Sequence, residues 1–334
     1  MQLTMRPIVK YPLILLIGFL GLYTALFLLA WGEYHVPQTA ADDPSIPTIS
    51  VNGATFHVET AGNPDNPVVI GVHGGPGMDH QNIRSLLQLA DEYFVVLYDQ
   101  RGTGLSPRVP KDELTLPTYL DDIDALIDHY GRGEPVAIVG HSFGGTITAW
   151  YIGQHPDKVH HVVLAEPAFL DIDLMEDMAS RMSILNMSMF YSLAEGWFQS
   201  LHVNGPDDRA EEDHVLAHVA SAGDPGYFID GKVDASLMPM KRASFDAWAG
   251  MQESLLNTVD ELGYTKDLDQ YKRTVLFLAS PGNIINGLDF QEKQLRFFPK
   301  AELVEIPDCG HFLFTEQPDA TIEAIRDFLH SDTQ

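Results

Sequence analysis

The stretch Gly140-His141-Ser142-Phe143-Gly144-Gly145 decides how this chain folds. It follows a short apolar run, Pro135–Val139, and precedes a helix-like segment, Thr146–His155. A strand, Gly-x-Ser-x-Gly and then a helix make a turn tight enough to lift a serine hydroxyl to the C-terminal edge of a sheet. Such a turn forces Ser142 into a strained backbone, and a side chain at Gly140 or Gly144 would collide with neighbouring elements. The amides opening the following helix favour developing negative charge beside the hydroxyl. An ordinary strand-to-helix turn satisfies the same short motif, so the surrounding chain has to decide its meaning.

Working outward from this turn, buried strands alternate with helices. Thr48–Val51 and Thr55–Thr60 flank Asn52-Gly53, a hairpin signal. Pro67–Val72 and Phe94–Tyr98 are continuous apolar runs, as expected of strands covered on both faces. The first ends in His73-Gly74-Gly75-Pro76-Gly77, the second in Asp99-Gln100-Arg101-Gly102-Thr103-Gly104-Leu105-Ser106. Helices are expected around Ile83–Ala90 and over Tyr119–Tyr130, where Leu120, Ile123, Leu126 and Ile127 share one face. After the serine turn, His160–Ala165 forms a strand ending at Glu166-Pro167. From Ala168 to about Lys272 only helix-like pieces occur. Alternation then resumes with a strand at Val275–Ala279, a helix at Phe290–Phe297, a strand at Glu302–Ile306 and a closing amphipathic helix at Ala320–His330. This order predicts an α/β fold: a mostly parallel sheet flanked by helices, interrupted by a helical cap. The expected division is an anchor over 1–35, a linker over 36–47, core over 48–167, a cap over 168–272 and core again over 273–334.

Composition narrows the function classes. A formal net charge of −27 argues against nucleic-acid binding, which needs clustered Lys and Arg, and mildly favours neutral or cationic substrates. Cys309 is the only cysteine, so no intrachain disulfide can form. No metal and no cofactor are expected: the His and Cys spacings do not match zinc sites, and His214 and His218 lack the Glu a metalloprotease helix needs.

Residues 11–31 contain no charge and are rich in Leu, Ile and Phe, a length that suffices to cross a bilayer. Arg6 and Lys10 precede the run, and Glu33, Asp42 and Asp43 follow it. The expectation is an uncleaved single-pass transmembrane helix with the N-terminus cytoplasmic. The rest of the chain would then lie outside the cytoplasm, periplasmic or extracellular.

Taken together, His73–Gly77, Asp99–Ser106 and Gly140–Gly144 resemble the α/β-hydrolase superfamily, and the first two resemble its proline iminopeptidase branch in particular. The resemblance covers roughly Ile49–Pro167 and Lys272 onward. It implies a serine hydrolase with Ser142 as nucleophile and His311, after the last strand, as its base. It also implies an oxyanion hole made by the amides of Phe143 and Gly75, the latter two residues after His73. The family's acid usually follows the strand after the lid, but the chain reads Ala279-Ser280-Pro281-Gly282-Asn283 there, with a neutral amide in the slot. Glu166, ending an otherwise apolar strand, is the candidate instead, since an unpartnered carboxylate there would be costly. Certain haloalkane dehalogenases carry their acid at that place. Asp289 and Asp308 are alternatives, and binding a substrate ammonium is the competing role for Glu166. Gly74, Met178 and Trp197 are candidate substrate contacts.

Three functions fit these residues. An aminopeptidase would bring acidic lid residues such as Glu195, Asp171 or Asp173 to Ser142. A carboxylesterase or lipase-like acyl hydrolase would present an apolar pocket. An inactive hydrolase fold would serve only for binding. The expected partners are a small ester or peptide substrate and, through residues 11–31, the lipid bilayer; oligomeric state is left open.

Overall fold

The computed structural model describes residues 7–182, 187–258, 265 and 267–331. Its centre is an eight-stranded sheet in the order β1-β2-β4-β3-β5-β6-β7-β8. The strands are β1 (Thr48–Val51), β2 (Ala54–Ala61), β3 (Val68–Val72), β4 (Phe94–Tyr98), β5 (Val136–His141), β6 (Val159–Ala165), β7 (Val275–Ala279) and β8 (Ala301–Glu305). β1 and β2 form the expected hairpin, with Asn52 and Gly53 both at positive φ, and β2 pairs antiparallel to β4. All remaining pairs are parallel.

Side chains alternate across this sheet, so one strand feeds two cores. Ile70, Val72, Val96, Ile138 and Phe277 pack on one face against α2 (Leu116–Gly131) and α3 (Phe143–Gln154). Val69, Val95, Val139, Val163 and Leu278 pack on the other against a 3-10 helix over His80–Asp91. The C-terminal helices complete that second face. Burial of each such side chain stabilises the fold by about 1.5–3 kcal/mol, which explains why the continuous apolar runs become central strands.

Between β6 and β7 the chain forms the cap: α4 (Ile172–Arg181), α5 (Met187–Ser200), α6 (Ala210–Ala222) and α7 (Phe245–Thr258), with short 3-10 turns between α6 and α7. The chain closes with α8 (Leu288–Gln294), α9 (Leu313–Glu316) and α10 (Pro318–His330).

The N-terminal segment corrects the expectation for residues 11–31. It forms α1 (Pro7–Leu29), but among the described residues no helix is long and apolar enough to cross a membrane. Lys10 and Pro12 fall within its first turns. Beyond Pro12 it runs about 25 Å at about 1.5 Å per residue, short of a ~30 Å hydrocarbon core. Its far end is also engaged by the cap. The Tyr23 ring lies 5.3 Å from Phe198, the Phe27 ring 4.4 Å from His202, and His202 Nε2 is 3.2 Å from the Phe27 carbonyl. The transmembrane helix, the bilayer as partner and the placement of the remaining chain outside the cytoplasm rested on that span and fall with it. Arg6, the first flanking charge, lies outside the described residues.

Candidate active site

Ser142 stands between β5 and α3 with φ 53° and ψ −125°, a conformation costly for any residue with a Cβ. Close packing of the surrounding turn holds it there. A Cβ on Gly144 would run into the carbonyls of Val72 and His73, so the helix can approach β3 this closely only with glycine. The Ser142 amide donates to Ala165 O at 3.0 Å, which sets the serine turn directly beside the end of β6.

The next residue, just past the end of that strand, is Glu166. It is fully buried, at φ 44°, and its amide donates across to Leu278 O of β7. Four donors converge on its carboxylate. Ser280 supplies its backbone amide at 2.7 Å and its hydroxyl at 2.6 Å to Oε1. Asn283 Nδ2 and His311 Nδ1 each reach Oε2 at 2.7 Å. Asn283 thus occupies the slot expected to hold an acid and donates to Glu166. Its own Oδ1 accepts from the amides of Ile285 and Asn286, which fixes the direction of its NH2. Asn286 Nδ2 donates to Glu166 O at 3.0 Å. This polar support follows from no local sequence pattern; its only signal is the run Ser280-Pro281-Gly282-Asn283 after a buried strand.

His311 lies past β8, with its ring between those of His141 and Tyr227, each 4.7 Å away centre to centre. Its backbone is held at both ends: the amide donates to Tyr227 O at 2.8 Å, and its carbonyl accepts from His141 Nε2 at 3.0 Å. With Nδ1–H given to Glu166, Nε2 is the nitrogen left to accept a proton. Nε2 and the Ser142 hydroxyl make no hydrogen bond to each other among the described residues, a common state before substrate tightens such a pair. Burial holds the His311 imidazole down, to about 3, and so keeps it neutral. Burial also pushes the Glu166 carboxyl up, to about 7, opposed by its hydrogen bonds from Ser280 and Asn283. The Ser280 amide and the Asn283 NH2 can only donate, which favours the ionised carboxylate in this cradle.

The loop after β3 closes the other side. His73 Nδ1 donates to Gly74 O at 2.9 Å, and its Nε2 accepts from the Gln100 amide at 3.1 Å, tying the loop to the end of β4. Burial keeps this imidazole neutral as well, lowering it to about 4. A Cβ on Gly74 would lie 2.7 Å from Ser142 Cβ, so the loop backbone passes directly over the serine.

A cavity of about 430 Å³ opens over Ser142, bordered by Gly75 and Phe143 at its base. Phe169, Ile172, Met175, Met178, Met182 and Leu255 form much of its wall, and no Asp, Glu, Lys or Arg lines it among the described residues. Met178 therefore lies at the cavity, whereas Trp197 sits on α5 with 55% of its surface exposed and does not border it. Tyr227 and Gln252, not singled out from sequence, do border it. The acidic lid residues do not gather at Ser142. Asp171 caps α4 and pairs with Arg296, and Glu195 bonds to Gln199. The alternative acids are also elsewhere, with Asp289 paired to Arg181. One further cluster, His57, His80 and Asp99, has its ligand atoms within 4.8 Å of one another. There both imidazoles and the amides of His80 and Leu105 already satisfy the Asp99 carboxylate without an ion.

Residues 67–202 match the family model described as the alpha/beta hydrolase fold. With the sheet order above, that match supports an α/β-hydrolase fold for this chain. Among curated relatives, this chain is 25% identical over 303 residues to a proline iminopeptidase from Pestalotiopsis fici, covering 84% of this chain and 98% of the relative. It is 23% identical over 284 residues to 2-(acetamidomethylene)succinate hydrolase from Mesorhizobium japonicum, covering 84% and 94%. The crystal structure of an esterase from Rhodococcus sp. superposes with a TM-score of 0.60 at 21% identity, covering 86% of this chain and 99% of the other, a likeness of fold.

Proposed function

We propose that this α/β-hydrolase cleaves esters with an uncharged, apolar acyl group through an acyl-enzyme on Ser142. The observation that carries the substrate class is the cavity above Ser142, walled by methionine and aromatic side chains and without a charged group among the described residues. An N-terminal ammonium would enter such a cavity without a partner and would pay several kcal/mol in lost hydration.

In this reading the Ser142 hydroxyl attacks the ester carbonyl while His311 Nε2 takes its proton. Glu166 holds Nδ1–H, keeps the imidazole in the accepting tautomer and stabilises the imidazolium that forms. The amides of Phe143 and Gly75 receive the oxyanion. Collapse of the tetrahedral species expels the alcohol, which takes its proton from His311. Water then attacks the acyl-enzyme, giving its proton to the same nitrogen, and the carboxylic acid leaves as Ser142 Oγ recovers it.

A fluorophosphonate probe followed by paired substrates tests the proposal. Intact protein should be labelled once, at Ser142, and Ser142→Ala should not. Short- to medium-chain nitrophenyl esters should turn over at least about tenfold faster per mole than a prolyl amide. The reverse preference would favour the aminopeptidase reading suggested by the iminopeptidase relative. Equal, negligible labelling of both proteins would leave only a binding role.

A further inference from the structure

We infer that Asp79 is a positioning residue that clamps the oxyanion loop to the cap segment leading into α7, so that seating the cap and forming the oxyanion hole are one event; this rests on the acyl-transfer reading above. The loop Gly75–Asp79 leads from β3 to the 3-10 helix at His80. Asp79 Oδ1 accepts from the Gln81 amide at 3.1 Å, an ordinary helix-capping bond. Its second oxygen faces the other way. Oδ2 accepts from the backbone amides of Lys241 at 2.6 Å and Arg242 at 3.1 Å, which belong to the cap segment entering α7. A third bond reinforces the join, from the Ser244 amide to Gly77 O at 2.7 Å. Met78 between them packs with Leu216 and Ala243 of the cap. Gly77 has φ 85°, and a Cβ there would lie 2.6 Å from Ser244 O, so the two backbones lie as close as glycine permits.

The cap segment is itself fixed from behind. Arg242, almost fully buried, donates to Asp207 Oδ2 at 2.6 Å, to Asp213 Oδ2 on α6 at 3.0 Å and to Pro37 O at 2.6 Å. Asp213 Oδ1 in turn accepts from the Phe245 amide at 2.9 Å. A rigid chain of contacts therefore runs from α6 through residues 241–244 to Gly77, two residues from the Gly75 amide.

Helix capping alone does not explain the residue. A serine would cap the helix without burying a charge, whereas Asp79 is buried near Asp99, at a cost visible in its carboxyl being pushed up to about 6 by burial and by that neighbour. What a carboxylate adds is the second acceptor, and that acceptor holds the cap.

Asp79→Ser keeps the capping oxygen and removes the clamp, so it separates the two roles. Expected are a kcat for a nitrophenyl ester reduced about 10- to 100-fold, a KM within about twofold of the parent, and still complete fluorophosphonate labelling of Ser142 at long times. Asp79→Asn, whose carbonyl can face Lys241 and Arg242, should recover part of the lost kcat. Gly77→Ala, which drives a methyl between loop and cap, should lower kcat in the same way, and it carries the test if the serine variant does not fold. Labelled parent protein with undiminished kcat in the folded variants would overturn the clamp alone. Parent protein that does not label at Ser142 would overturn the acyl-transfer reading, and the clamp with it.

Discussion

Glu166 Oε2 and His311 Nδ1 meet at 2.7 Å across 145 residues of chain. The meeting is fixed from both sides. β6 and β7 place the carboxylate, whose other oxygen takes two donors from Ser280, while Tyr227 and His141 hold the backbone of His311. An imidazole set this firmly would need little reorganisation on becoming charged, which is what preorganised catalysis would require of the proposed base.

Replacing the carboxylate by an amide tests that role. Glu166→Gln keeps the volume but can turn an NH2 toward His311 and favour the wrong tautomer. Turnover of esters is expected to fall by about 10⁴, the size of the analogous change in serine proteases, with KM little altered. Steady-state kinetics on protein that retains the parent's thermal midpoint checks it.

The turn carrying Ser142 was legible because each of its needs is local: an apolar strand, glycines at two crowded positions, and a helix. Glu166 was legible for a different reason, as a charge ending a strand with no polar neighbour in sequence. Its donors were not, since Asn283 and Ser280 reach it only through β6–β7 pairing, which no periodicity encodes. Residues 11–31 misled because an apolar run in sequence does not fix the span of the helix it forms, and the contacts of Phe27 and Trp31 with His202 are not local. Trp197 failed likewise: helical spacing places it on a cap helix but does not say which way that helix faces.

Acidity should silence the enzyme by protonating the Glu166–His311 pair. Burial raises the carboxyl, to about 7, and lowers the imidazole, so the first proton taken up on acidification is the one that removes the orienting charge. Activity is therefore expected to be full above neutrality and lost below it, as one apparent pKa of kcat/KM belonging to the pair. In Glu166→Gln that ionisation is gone, so the residual activity should persist to lower pH. An unmoved acid limb in the variant would contradict the assignment.

Met178 on the cavity wall offers a test of substrate class. Met178→Asp places a charge where an apolar acyl chain would lie, and kcat/KM for medium-chain esters should fall about tenfold or more. Acetyl esters, which need not reach that wall, should lose less. Equal losses for both chain lengths would remove Met178 from the acyl path.

Stability should depend on Arg101 more than activity does. Its guanidinium, 3% exposed, donates at 2.6 Å and 2.8 Å to the equally buried Asp122, and at 2.7 Å to Glu113. Arg101→Met would strand the Asp122 carboxylate, and loss of one partner of a buried pair costs about 3–5 kcal/mol. A urea midpoint lowered accordingly, with unchanged kcat for the remaining folded protein, is the expected result.

Two positions face the same imidazole nitrogen, and this makes the acid transferable. Asn283 Nδ2 lies 3.2 Å from His311 Nδ1, so a carboxylate at position 283 would sit within reach of the same N–H. Its second oxygen could keep the amides of Ile285 and Asn286, which Asn283 Oδ1 accepts now. In Glu166→Gln with Asn283→Asp, Ser280 would still find a carbonyl acceptor and the Gln NH2 would donate to the new carboxylate, whose charge then has to hold His311 Nδ1–H beside that NH2. The double variant should therefore regain at least about a hundredfold of the turnover lost by Glu166→Gln, because the charge that stabilises the imidazolium is restored. Asn283→Asp alone crowds two carboxylates around one imidazole, so one of them should hold its proton to higher pH and the acid limb should move upward. A double variant that folds and labels at Ser142 yet stays as slow as Glu166→Gln would mean that the geometry at Glu166, and not its charge alone, supports His311.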